Sequence, residues 1–157
     1  MSINQIYVNL PVADVARSTA FYEALGFAKN PEFSDENTSC IVLGENIFAM
    51  IMTKAKLQGF TRHDVADDGV RVINALGADS REGVDRVADA ALAAGGTESN
   101  DTQDYGWMYN RAFADPDGHH WEVAYMDEEA MREAFAAESA ESAESAESAE
   151  SAESAEA

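Results

Sequence analysis

The order of elements along this chain constrains its fold more than any single motif does: strand, helix and three strands, written twice. In the first run Ile6, Val8 and Leu10 alternate with Tyr7 and Asn9, the period of two that lays one face of a strand on a core. Asp14 then stands as an N-cap, a helix is predicted over Val15–Leu25, and Gly26 ends it. Strands are predicted at Ala28–Phe33, Thr38–Leu43 and Ile47–Thr53, with a turn at Gly44-Glu45-Asn46. The second run repeats the order: a strand at Val72–Ala78, a cap at Asp79 or Ser80, and a helix over Gly83–Ala94 closed by Gly95-Gly96. Strands at Thr97–Ser99, Trp107–Ala114 and His119–Met126 follow, the last two joined by the turn tetrad Asp115-Pro116-Asp117-Gly118. Lys54–Gly69 bridges the runs as a loop with room for one helical turn. The pattern is α+β: one helix per half covers one sheet face, and the other face is left for a partner or a ligand.

The repeat occupies residues 1–127, a length that suits one domain. A short helical extension over 128–137 is expected next, since Ala and Glu favour helix. Residues 138–157 repeat Glu-Ser-Ala with no apolar face and mounting like charge, so a disordered acidic tail is expected there. Ten basic and thirty acidic residues give a net charge of −20; the tail holds seven glutamates, leaving −20 + 7 = −13 for residues 1–137. Such a surface repels phosphate backbones and anionic lipid, which argues against nucleic-acid and membrane partners. The excess of acid, with three lysines against seven arginines, matches a salt-adapted cytoplasm and equally a GC-rich genome. No segment is apolar for long enough to span a bilayer, and the N-terminus lacks the basic-then-apolar order of a secretory signal, so a cytoplasmic protein is expected. The single cysteine, Cys40, lies within a strand pattern and reads as a small buried hydrophobe rather than a nucleophile.

Two stretches begin the halves in similar ways: Val12-Ala13-Asp14 with Arg17-Ser18 and Phe21-Tyr22-Glu23-Ala24-Leu25-Gly26-Phe27, then Ala78-Asp79-Ser80 with Ala93-Ala94-Gly95-Gly96. Together with Phe113-Ala114-Asp115-Pro116-Asp117-Gly118-His119-His120-Trp121-Glu122, they resemble the vicinal oxygen chelate superfamily of glyoxalases, bleomycin resistance proteins and extradiol dioxygenases. The resemblance covers about residues 3–127 and is nearest to small lactoylglutathione-lyase-related proteins. It implies two βαβββ repeats forming a cupped mixed sheet, with the helices on the outer face, and a homodimer in which a second chain completes the cup. It also implies a divalent metal at the centre, held by one side chain from the first and last strand of each half and acting as a Lewis acid on vicinal oxygens.

The positions of this chain that match those four ligands are Tyr7, the stretch Met50-Ile51-Met52, Ile73 and Glu122. Only Glu122 is a common ligand for a hard divalent ion. Ile73 cannot ligate, methionine sulfur suits soft ions, and Tyr7 would have to lose a proton with a reference pKa of about 10. No cofactor is therefore expected. The alternative is a divalent metal on His120 and Glu122, which alternation puts on one face, with His63 or another chain supplying a further ligand. His119 reads as a structural histidine. A ligand-binding lining of Tyr7, Asn9, Met50, Ile73, Trp107 and Arg111 is expected, the last two suited to an anionic aromatic molecule. The residues favour a protein that binds a small organic molecule in its cup. Against it stand a metal-dependent lyase or dioxygenase and a cup merely filled by side chains and dimer packing; whether the chain is an enzyme is left open.

Overall fold

The computed structural model describes residues 3–139. The first half comprises β1 (Ile6–Val12), α1 (Val15–Ala24), β2 (Ala28–Asn30), β3 (Thr38–Gly44) and β4 (Ile47–Thr53). A short helix, α2 (Lys54–Gln58), begins the linker. The second half comprises β5 (Ile73–Gly77), α3 (Arg81–Ala93), β6 (Thr97–Asp104), β7 (Met108–Ala114) and β8 (His120–Met126). A terminal helix, α4, covers residues 128–139. The expected Glu-Ser-Ala tail lies, from residue 140 on, outside the described residues.

Each half builds one four-stranded sheet, β1-β4-β3-β2 and β5-β8-β7-β6. In both, the first strand of the half lies at one edge, parallel to the last, and the remaining pairs are antiparallel. This is the expected α+β architecture of two βαβββ repeats, with open mixed sheets and helices on one face. Alternation decides that face. Leu10 and Val12 of β1, Ala49 and Ile51 of β4, and Trp121 and Val123 of β8 join Phe21, Tyr22 and Leu25 of α1 and Val84 and Ala91 of α3 in one core shared by both halves. Tyr22 and Trp121 are each only 1% exposed, and full burial of side chains of this size stabilises the fold by roughly 1.5–3 kcal/mol apiece.

Three elements depart from the pattern read in the sequence, each for a local reason. The strand expected at Ala28–Phe33 stops at Asn30, because Pro31 has no N–H to give a ladder and starts a 3-10 turn, and the Asn30 side chain caps that turn by accepting from the Glu32 N–H at 3.0 Å. Helix α3 begins at Arg81 rather than Gly83, with Ser80 as its cap. The linker does hold one helical turn, α2, as expected, capped by the Thr53 hydroxyl. Strand β6 runs to Asp104, although Thr97-Glu98-Ser99 was all that the sequence offered as strand. It is a polar edge strand, paired on one side only and broken by two register shifts, so hydrophobic alternation never marks it.

The turn Asp115–Gly118 does more than reverse the chain. The Asp117 carboxylate accepts from the Ala13 N–H at 2.8 Å, the Arg17 guanidinium at 2.8 Å and the Ser18 hydroxyl at 2.7 Å, all at the start of α1 in the other half. Asp115 accepts from the Tyr22 hydroxyl at 2.5 Å, and the Trp121 indole N–H donates to that same hydroxyl at 3.1 Å. His119 closes the seam, its Nε2 lying 2.7 Å from the Pro11 carbonyl oxygen. Gly118, at φ +86°, makes the turn that aims both carboxylates. The second half thus clips onto the first through charge-assisted hydrogen bonds, exposed or half-buried at Asp117 and buried at Asp115.

Candidate functional site

The face of the two sheets turned away from the helices is the candidate site. Parity on β1 puts Tyr7 and Asn9 there, opposite Leu10 and Val12, and on β4 it puts Phe48, Met50 and Met52 there. On β5 and β8 the same reasoning gives Ile73, Ala75, His120 and Glu122. The pairing register arranges these residues as rungs: Tyr7 beside Phe48, Asn9 beside Met50, Ile73 beside His120, and Ala75 beside Glu122. Within each half the two positions matched to family ligands fall on neighbouring levels of the cup, Tyr7 on the level next to that of Met50 and Ile73 on the level next to that of Glu122.

Tyr7 is 47% exposed and stacks on Phe48, with ring centroids 4.8 Å apart and planes at 13°. Its hydroxyl donates to the Gln5 side chain at 3.3 Å. Ile73 is 53% exposed. A hollow of about 720 Å³ runs along the seam between β1 and β5 beneath the linker, with Asn9, Pro11, Leu57, Val70, Asn74 and His120 among its walls. This hollow also carries charged groups, Lys54, Asp67, Asp68, Arg71 and Asp117, whereas the cup face itself presents the Tyr7–Phe48 pair, Met50 and Ile73, the apolar kind of surface common in small-molecule sites.

Two residues expected in this lining lie elsewhere. Arg111 pairs in register with Val123, a core residue, and so points to the helix side. There it bridges two carboxylates of α3, Asp85 at 3.0 Å and Asp89 at 2.8 Å. The Tyr109 hydroxyl and Arg111 together hold the Asp85 carboxyl below its ordinary range. Trp107 precedes β7 and packs on Phe135 of α4, with centroids 5.5 Å apart, and on Tyr105 at 6.0 Å. The alternation of Trp107, Tyr109 and Arg111 was legible, but their face was not.

Phe48, beside Tyr7 on the cup face, and one residue of β7 both escaped the sequence reading. Asn110 of β7 pairs with Ala124 on the cup side, is 6% exposed, and leaves its Oδ1 without a hydrogen-bond partner among the described residues. Counting the hairpin register back from Glu122 would have found it. Cys40 is buried, and burial pushes its thiol pKa up, which leaves little thiolate for chemistry.

A four-ligand metal centre of the glyoxalase kind does not fit these residues. His120 and Glu122 share a face, but His63 stays exposed in the linker, and among the described residues no three His, Cys, Asp or Glu side chains come together as a metal-holding group. Among the described residues no helix is long and apolar enough to cross a membrane.

The fold and the first half both have known counterparts. The family model described as bleomycin resistance protein-like N-terminal matches residues 5–44. A hypothetical protein, SA1046 from S. aureus, superposes with a TM-score of 0.67 at 27% identity, over 80% of this chain and 95% of its own. A glyoxalase-related enzyme from Fulvimarina pelagi gives 0.68 at 22% identity, over 78% and 88%. A lactoylglutathione lyase from Agrobacterium tumefaciens gives 0.58 at 16% identity, over 79% and 92%. No curated protein matches the chain. The chain has the vicinal oxygen chelate fold shared by glyoxalases, bleomycin resistance proteins and dioxygenases.

Proposed function

We propose that the protein binds a small organic molecule in the cup between its halves, without the four-ligand metal centre that the fold carries in metal-dependent enzymes. The observation that carries this reading is the composition of the two central levels of the cup. Three of the four ligand positions hold Tyr7, Met50 and Ile73, while the stacked Tyr7–Phe48 pair and the half-exposed Ile73 offer an apolar, polarisable floor. Asn9 and the unpartnered Asn110 amide oxygen supply directional hydrogen bonds. A homodimer belongs to this reading, since a second copy would cover the floor residues that a single chain leaves half exposed. A cytoplasmic setting belongs to it too, as one buried thiol needs no oxidising compartment.

The alternative, a metal-dependent lyase or dioxygenase, is favoured by one observation: His120 and Glu122 lie two residues apart on the cup face of β8. Elemental analysis of protein purified without added metal separates the two readings. A divalent ion at one equivalent per chain, lost in both His120→Ala and Glu122→Ala, would establish the alternative. A thermal-shift series of small aromatic compounds tests the preferred reading. Stabilisation that Phe48→Ala and Asn9→Ala abolish is the expected result, and no stabilisation by any of them counts against it. Light scattering at micromolar concentration reads the dimer directly.

A further inference from the structure

The repeat gives the molecule two seams between a helix and the opposite half's hairpin, and the two seams are not alike. At one, the β7–β8 hairpin turns through five residues, Asp115–His119, and locks onto α1. At the other, the β3–β4 hairpin turns through two, Glu45 and Asn46, and forms no such lock with α3. The side chains differ in the same sense. Aligning the caps Asp14 and Ser80 sets Arg17 against Gly83 and Tyr22 against Ala88. Aligning the rungs Val8–Ala49 and Asn74–Trp121 sets Trp121 against Ala49. Three large side chains that fill the first seam have small counterparts in the second, and there a groove of about 540 Å³ opens on the helix side of the sheets.

Val8, Phe27, Leu43, Leu76, Val87 and Trp121 make its walls apolar. Of its polar side chains, Asn74 stands on β5, while Asp79, Ser80 and Arg86 are gathered at the start of α3. The Ser80 hydroxyl is occupied as the cap, accepting from the Gly83 N–H at 3.0 Å. Arg86 is not occupied. Its Nη2 lies over the first turn, 3.8 Å from where a Cβ on Gly83 would stand, and it enters no ion pair among the described residues. In a chain of net charge −20, Arg17, Arg81, Arg111 and Arg132 each hold a carboxylate, while Arg62, Arg71 and Arg86 enter no ion pair among the described residues; of these three, Arg86 is the one that lines this groove. Asp79 stands exposed just outside the helix, where solvent screens it. The positive end of α3 adds to the guanidinium.

We propose that this groove is a second small-molecule site, separate from the cup, for an anion with an apolar body: the body between Phe27, Leu43, Val87 and Trp121, the anionic group on Arg86. The volume falls within the range of about 300–1,000 Å³ typical of such sites. An apolar body matches the walls, and an anion is the partner that an unpaired guanidinium lacks.

Fluorescence titration of the full chain with 8-anilinonaphthalene-1-sulfonate, an aromatic sulfonate, tests this. A saturable groove site is expected, separate from any dye the cup takes, weakened at least tenfold by Arg86→Gln and abolished by Val87→Phe, which fills the groove with the ring that Phe21 supplies at the matching place in α1. Phe48→Ala, on the cup, should leave that site unchanged. The neutral dye N-phenyl-1-naphthylamine should bind at least tenfold more weakly. Arg86 is exposed, so its variant tests the site even if Val87→Phe disturbs folding. Absence of saturable binding, equal affinity for the neutral dye, or loss of binding in Phe48→Ala but not in Arg86→Gln would overturn the proposal. So would a dimer in sedimentation that excludes the dye and that Val87→Phe dissociates, because a second copy would then fill the groove.

Discussion

The Tyr22 hydroxyl donates to the Asp115 carboxylate at 2.5 Å, joining a helix of the first half to the closing hairpin of the second. Burial, and then the negative charge of Asp115, push the Tyr22 pKa far above its ordinary range, so the hydroxyl is a donor at every working pH. Tyr22→Phe should therefore cost about 3 kcal/mol, because it removes a hydrogen bond to a charged group and leaves the Trp121 indole N–H without an acceptor. Urea denaturation reads this as a fall in midpoint. A loss below about 0.5 kcal/mol would mean that the network tolerates the change.

Asp117 gives the same seam a pH dependence. Burial alone would raise its pKa, but the Ala13 N–H, the Ser18 hydroxyl and the Arg17 guanidinium outweigh it and hold the carboxyl below its ordinary range. A group whose folded pKa is depressed stabilises the fold above its unfolded pKa, about 3.9, and that contribution is lost as pH falls through the lower, folded value. Melting temperature should drop through this acidic window in the parent chain, and the drop should be shallower in Asp117→Asn, which starts lower at pH 7.

Gly96 sits where the end of α3, the end of β7 and Phe21 meet. A Cβ there would lie 2.8 Å from the Ala114 carbonyl oxygen and 2.9 Å from that of Ala91. Both obstacles are backbone and cannot swing aside. Gly96→Ala should destabilise the fold by about 2–3 kcal/mol, as overpacking does. Calorimetry showing an unchanged melting temperature would contradict this close approach.

Arg111 separates the role of a ligand contact from that of a brace. Placed between Asp85 and Asp89, it should matter to stability and not to the cup. Arg111→Gln should lower the melting temperature by a few degrees, in keeping with partly exposed ion pairs worth about 1 kcal/mol, and should leave ligand affinity in the cup unchanged. A tenfold loss of cup affinity would return Arg111 to the ligand site.

Much of the fold was legible because hydrophobic alternation and glycine-closed helices recur in the same order. Strand β6 was not, since Glu98, Asn100, Asp101 and Gln103 carry no apolar period, and an edge strand needs none. The cup lining was legible in β1 and β8, where each strand has its own buried partners. It failed in β7: alternation shows that Tyr109 and Arg111 share a face, but only the pairing of Arg111 with Val123 tells which face that is. The reach of Asp117 was invisible for a different reason. Asp-Pro-Asp-Gly explains itself as a turn, and nothing local says that its carboxylates bind the start of a helix a hundred residues earlier.

The hairpin clip has a bearing on how a duplicated chain loses its interchangeability. Asp115 and Asp117 act as a key in the second half, and Ala13, Arg17, Ser18 and Tyr22 form the lock in the first. A chain made of two first halves would have two locks and no key, and one made of two second halves would have two keys and no lock. Only a first half joined to a second, in one chain or as two separate fragments, restores the seam, so complementation between fragments should be directional where the ancestral repeat was symmetric.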